Sequence, residues 1–257
     1  MLNGTTIAVV VPAHDEAPFI SRVLESMPPF VDHVIVTDDA STDGTAWVAE
    51  QVANSRVRVV RNAYNRGVGA AIAAGYRLAI ARGAQVVAVM AGDGQMDPED
   101  LQAVVQPVVD GEADYVKGVR LDHPEVSRMP WLRRLGTRVF GWATGVALRM
   151  PSLSDSQCGY TAISSQAIEK LNLRDLWPRF GYPNDLLCQL RVRGFRVVQV
   201  PVRPVYGAER SELRVHHSLV ITYLIARSAY RVRKAVRVSD QSSNQSSNQS
   251  SNQSPEN

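Results

Sequence analysis

Cysteine is nearly missing from this chain. Cys158 and Cys188 are the only two in 257 residues. Two distant thiols offer neither a disulfide framework nor the paired spacing of a zinc site, which points to a reducing compartment. Long hydrophobic runs are missing as well: no stretch reaches the about 18 continuous apolar residues of a membrane span. The opening MLNGTTIAVVVPAHDEA has no basic flank and no small-residue cleavage site, so no signal peptide is expected. No nucleic-acid recognition motif is present and the arginines fall largely on amphipathic patterns, which argues against a nucleic-acid partner. The 45% hydrophobic content is that of an ordinary globular protein and suffices for a full core.

Net charge is only +3, but it is unevenly spread. Residues 1–116 hold 7 Lys/Arg against 15 Asp/Glu, whereas residues 117–237 hold 21 against 8. An acidic first half beside a basic second half suggests an anionic partner on one side. The tail QSSNQSSNQSSNQS (241–254) is a polar repeat that buries no apolar surface and is expected to be disordered over 238–257.

Apolar β-branched runs alternate with helical patterns. Strands are expected at 5–12, 33–38, 56–60, 86–91, 114–120 and 195–202, and helices at 18–27, 45–53, 67–83, 98–109, 127–150 and 216–237. Continuous apolar strands alternating with helices predict an α/β fold, a mostly parallel central sheet with helices on both faces. Ligands of such sheets bind beyond the carboxyl ends of the strands. Those ends carry His14-Asp15-Glu16, Asp38-Asp39 and Asp93, so three acidic clusters are expected at one edge.

Individually these motifs are ambiguous. Asp93 stands between Gly92 and Gly94, which permit a tight turn and close approach of a ligand. With Gln95 it suits Mg²⁺ or Mn²⁺ bridged to a diphosphate, and equally a plain turn into a helix capped by Asp97 before Pro98. In VTDDASTDGT (36–45) a carboxylate suits a base or ribose, while Asp43-Gly44-Thr45 suits a turn and cap. GVGAAIAAG (67–75) lacks the third glycine of a dinucleotide fingerprint, so close packing of a small-residue helix on the sheet is the better reading.

Taken in order, the set VVVPAHDEAPFI, VIVTDDASTDGT, NRGVGAAIAAGYRLA, VMAGDGQMDPEDL and DSQCGYTAIS resembles the inverting family 2 glycosyltransferases of the GT-A fold. Among them it is most similar to the polyprenyl-phosphate sugar transferases, the group of dolichyl-phosphate mannose and glucose synthases. The resemblance spans roughly residues 5–215 and implies a GT-A domain over 1–215 followed by a basic amphipathic helix over 216–237. It implies that Pro12, Ala13, Asp15 and Glu16 lie beside the nucleotide, with Asp15 where Asn is usual. It further implies that Asp39 reads the base or ribose, that Arg66, Gly67 and Gly69 form a loop near the nucleotide, and that Gly92 and Asp93 meet the diphosphate. Asp93 matches the last Asp of the metal-binding D-x-D signature and Gln95 joins the shell. Ala91 replaces the first Asp, which weakens the metal site.

The implied activity is metal-dependent transfer of a hexose, with inversion, from a nucleoside-diphosphate sugar to a polyprenyl phosphate of the undecaprenyl or dolichyl type. The alternative acceptor is a hydroxyl of a glycan or small molecule. A phosphate acceptor is already ionised and needs cations to place it rather than a strong base. Lys117, Arg120 and Arg133 are the expected acceptor ligands, and Arg210 a phosphate ligand. Asp155 is expected at the donor sugar, and Asp185 as base should the acceptor be an alcohol. The arginine-rich helix with Trp131 and Trp142 and the basic C-terminal helix suit either an anionic membrane surface or packing on the domain. The expected location is cytoplasmic and peripheral to the inner membrane face.

Overall fold

The computed structural model describes residues 1–52, 54–205 and 215–251, with side chains of the last stretch described over 218–237. Seven strands form one sheet: β1 (Ile7–Ala13), β2 (His33–Asp38), β3 (Val57–Arg61), β4 (Val86–Val89), β5 (Tyr115–Val119), β6 (Thr161–Ser164) and β7 (Val197–Pro201). Their order is β3-β2-β1-β4-β6-β5-β7. All pairings are parallel except those of β6, which runs against both β4 and β5. The helices are α1 (Ile20–Glu25), α2 (Thr45–Gln51), α3 (Val68–Ala81), α4 (Leu101–Val109), α5 (Trp131–Leu148), α6 (Ser165–Lys170), α7 (Tyr182–Val192) and α8 (Val215–Ser251).

The unbroken apolar run of β1 is explained by burial on both faces. Ile7, Val9 and Val11 enter one core with Ile20 and Val23 of α1 and Val104 and Val105 of α4. Ala8 and Val10 enter a second core with Ile72 and Tyr76 of α3 and Leu186 and Leu187 of α7. Alternate residues of one strand thus feed two layers. The small residues of α3 serve that second layer, since a Cβ at Gly75 would overlap the Val10 side chain.

One local reading of the sequence changes. The end of DSQCGYTAIS is a strand, β6, whose four residues are too short for a periodic signal. α8 runs from Val215 to Ser251. α8 turns Ile221, Leu224, Ser228 and Val232 inward, and Val232 joins the second core. No described helix is long and apolar enough to cross a membrane.

Candidate active site

The sheet ladder continues past the strands and sets the site. Asp39 N–H donates to the Ala13 carbonyl at 2.8 Å, and Gly92 N–H to the Pro12 carbonyl at 3.0 Å. Because β2 and β4 flank β1, Asp39 and Asp93 emerge on either side of Pro12-Ala13. A cavity of about 420 Å³ opens there, lined among others by Pro12, Ala13, His14, Glu16, Asp39, Gly67, Ala91 and Asp93. Its opposite wall is Trp177, Arg179, Phe180 and Val220.

Asp39 is buried and anchors the loop before α3. Its Oδ1 accepts from Asn62 Nδ2 (2.7 Å) and Arg66 N–H (2.9 Å), and its Oδ2 from Gly67 N–H (2.6 Å). The loop 14–17 is pinned from the other side. Asp15 Oδ1 accepts from Thr42 N–H at 2.7 Å, Glu16 N–H donates to Thr45 Oγ1 at 2.8 Å, and Ala17 N–H to Asp43 Oδ2 at 2.9 Å. The Asp43 carboxyl, although burial pushes it up, is held below its usual range by hydrogen bonds from Thr45 and Ala17. Asp15 has a left-handed backbone (φ 57°), which Asp and Asn both tolerate. Asp15 is not among the residues lining the cavity, nor is Arg66, whose side chain is exposed.

Gly67 (φ 94°) and Gly69 owe their identity to the facing segment. A Cβ at Gly67 would meet the Pro178 carbonyl at 2.6 Å, and one at Gly69 would overlap the Trp177 carbonyl. Gly92 lies so close to Ala13 and Ile20 that a Cβ would stand 3.1 and 3.2 Å from them. Asp93 Oδ1 accepts from Gln95 N–H at 2.9 Å, a local turn. Gln95 itself is not among the lining residues. Asp97 caps the turn 98–100, accepting from Glu99 N–H, as its place before Pro98 predicts.

The second-half residues fall elsewhere. Asp155 is fully buried and occupied by its own chain: Arg120 pairs with it through Nε (2.8 Å) and Nη2 (3.1 Å), and Gln157 and Cys158 N–H donate to Oδ1. Burial raises its pKa, but Arg120 outweighs this and holds the carboxyl low. Asp155 and Arg120 therefore fasten the chain before β6 rather than facing the cavity. Arg133 lies half-buried on α5, outside the lining set, and Arg210 lies outside the described residues. Asp185 is buried, accepting from Trp177 N–H and Arg231.

Lys117, expected at an acceptor phosphate, is instead fully buried on β5, its Nζ donating to the Cys158 carbonyl. Burial lowers its pKa from 10.5 to about 8. The unfolded chain therefore binds the extra proton between these values, and stability rises with pH across that window. At about 1.4 kcal/mol per unit, the gain is about 3 kcal/mol. Urea unfolding at pH 7.5 and 10 should show the wild type gaining about 2 kcal/mol of it over Lys117→Met. A difference that does not change with pH would remove the assignment.

Sequence reasoning overlooked Trp177, Arg179, Phe180 and Val220, which lie far along the chain from the acidic motifs. Arg179 reaches Asn65 at 3.4 and 3.5 Å, long for hydrogen bonds, so its guanidinium is loosely held at the cavity mouth. The only local signal was the Pro-Arg-Phe-Gly turn ahead of α7.

A mostly parallel sheet between helices, with acidic loops at the carboxyl ends of β1, β2 and β4, defines a GT-A type α/β transferase fold. The sequence matches Glycosyl transferase family 2 over residues 8–171, and the chain belongs to that family of enzymes. It is 26% identical over 216 residues to a UDP-N-acetylglucosamine–dolichyl-phosphate N-acetylglucosaminyltransferase of Methanococcus voltae, covering 78% of this chain and 86% of that one. It is 30% identical over 203 residues to the polyprenol monophosphomannose synthase of Mycolicibacterium smegmatis, covering 76% and 75%. The fold is that of glucosyl-3-phosphoglycerate synthase from Mycobacterium tuberculosis, solved with Mn²⁺, UDP and phosphoglyceric acid (TM-score 0.67, 23% identity, 88% of this chain and 79% of that one).

Proposed function

We propose that this glycosyltransferase moves a hexose, with inversion, from a nucleoside-diphosphate sugar to a polyprenyl phosphate. The cavity between Asp39 and Asp93 takes the donor. An acceptor phosphate oxygen attacks the anomeric carbon, the bond from that carbon to the diphosphate breaks, and the electron pair leaves with the nucleoside diphosphate. Arg179 at the cavity mouth offers a cation to the phosphates.

The observation that carries the phosphate acceptor is the state of Asp185. A hydroxyl acceptor needs a base within reach, and the residue expected for that role is buried with Trp177 N–H and Arg231 on its two oxygens. A phosphate monoester attacks without one. The names of the two relatives agree with this choice.

Mg²⁺ or Mn²⁺ fits the cavity in one mode. No group of three or more His, Cys, Asp or Glu among the described residues could hold an ion unaided, and Ala91 lines the wall without a ligand atom. Hard divalent ions are commonly held by one or two carboxylates plus substrate phosphates, which Asp93 and a diphosphate satisfy. When bound, such an ion neutralises charge on the departing diphosphate.

The surface supports a peripheral place on an anionic membrane, at its cytoplasmic face. α5 turns Thr137, Gly141, Thr144, Gly145 and Leu148 inward and leaves Trp131 (70% exposed), Leu135, Val139, Trp142 (69%) and Val146 outward. These five recur at three- and four-residue steps and make one stripe. On neighbouring α8, Leu219, Tyr223 and Tyr230 are exposed and lead to exposed Arg233, Lys234 and Arg237. Aromatic and aliphatic groups beside cations match a lipid headgroup boundary.

The test is a donor panel (UDP-glucose, UDP-N-acetylglucosamine, GDP-mannose) with Mn²⁺ and undecaprenyl phosphate in phosphatidylglycerol vesicles. Lipid extraction and mass spectrometry should find one sugar joined to the lipid phosphate. The protein should sediment with those vesicles, and a Trp131→Ser/Trp142→Ser variant should stay in solution. Turnover only with a hydroxyl acceptor would overturn the acceptor, and a wild type that never pellets with vesicles would overturn the membrane placement.

A further inference from the structure

Asp185 stands in the first turn of α7 with its side chain 2% exposed. Its Oδ2 accepts from the Trp177 backbone N–H at 3.0 Å, and its Oδ1 from Arg231 Nη1 at 2.9 Å, with Arg227 at 4.0 Å. The two sides of this carboxylate belong to different elements. Trp177 opens the segment that forms one cavity wall, and Arg231 lies on α8, which adds Val220 to the same wall. The two elements also touch directly. The Trp177 and Tyr223 rings are 6.3 Å apart between centroids, and Gly181 (φ 94°) is so close to α8 that a Cβ would stand 2.8 Å from Leu224 Cδ1.

We propose that Asp185 is a positioning residue, a latch through which α8 holds the wall 177–180 of the donor cavity in place. This rests on reading that cavity as the donor site. An ionised carboxylate is suited to the task because it accepts from a backbone N–H and a guanidinium at once, and charge-assisted bonds of this kind are the strong ones. Since α8 also carries Leu219 and Tyr230 outward, seating of that face is transmitted to the donor wall along Arg231, Asp185 and Trp177. Donor affinity and the seating of α8 are thereby coupled.

Hydrogen exchange of the amides of Trp177, Arg179, Phe180 and Gly181, measured without donor, tests the latch by itself, and steady-state kinetics tests its effect. Asp185→Asn keeps an acceptor for Trp177 N–H but removes the charge facing Arg231. Arg231→Gln removes the partner from the partly exposed side, so it remains informative should the Asp185 variant fold poorly. Both should speed exchange at 177–181 by about tenfold and raise the donor KM by about tenfold with kcat little changed, the scale of a lost charged hydrogen bond. Arg231→Lys should recover part of the donor KM. Unchanged exchange at 177–181 in both variants would overturn the latch. So would a kcat loss of a hundredfold or more in Asp185→Asn at unchanged donor KM, which is the signature of a base. If exchange quickens in the variants but no nucleotide sugar protects these amides in the wild type, the latch stands and the donor reading fails.

Discussion

Asp93→Ala lowers sugar transfer by about a thousandfold, the scale on which removal of one preorganised charge-stabilising group is felt. The size follows from the lack of a substitute. Ala91 occupies the place where the family pattern has its other carboxylate, and Asp39 on the far side of the cavity is already taken by Asn62, Arg66 and Gly67. Glu16, the remaining acidic residue of the lining, belongs to the loop after β1, pinned through its own N–H to Thr45. Asp93 sits on a half-exposed turn with its Oδ1 accepting from Gln95 N–H, and a melting curve taken beside the assay separates lost chemistry from lost fold. The measurement is kcat/KM at saturating Mn²⁺. Undiminished transfer would show that Asp93 does not meet the diphosphate.

Asp39→Asn weakens donor binding by at least tenfold and destabilises the fold by about 2 kcal/mol, the penalty for one buried donor left unpaired. Three N–H groups converge on the two oxygens of Asp39. An amide offers one oxygen and turns its NH₂ toward a second donor, so either Gly67 N–H or the Asn62–Arg66 pair loses its acceptor. Because Gly67 and Gly69 must seat against Pro178 and Trp177, slackening here opens the cavity across both walls. Calorimetry with UDP and GDP, together with urea unfolding, measures the two effects. Wild-type stability in the variant would mean that the loop 62–67 is held by something else.

The acidic rim of the cavity was legible because strand ends are local: an apolar run, then an acidic residue at its end, states both the element and the rim. His14, Glu16, Asp39 and Asp93 reach one cavity for that reason. The second half was not legible in the same way. Lys117, Arg120 and Asp155 read as charged groups in search of a substrate, yet they satisfy one another and the chain around Cys158 in the core. A sequence shows charges but not which are desolvated, and only the fold pairs residues thirty or more positions apart. The facing wall at 177–180 was missed because Trp and Phe there carry no chemical signature, and because its partner on the other side, Val220, comes from a different element.

The reversed direction of β6 divides the rim between two kinds of chain. β1, β2 and β4 bring their exits to it, whereas β6, running from Thr161 beside Val89 to Ser164 beside Val86, brings its entrance. The chain entering β6 is fastened as well, by the Asp155–Arg120 pair and by Gly118 N–H on the Tyr160 carbonyl at 2.8 Å, so what stands next to β4 is held from both directions. One edge of this sheet thus sets three outgoing chains, aligned by strand register, beside one incoming chain moored by a buried ion pair.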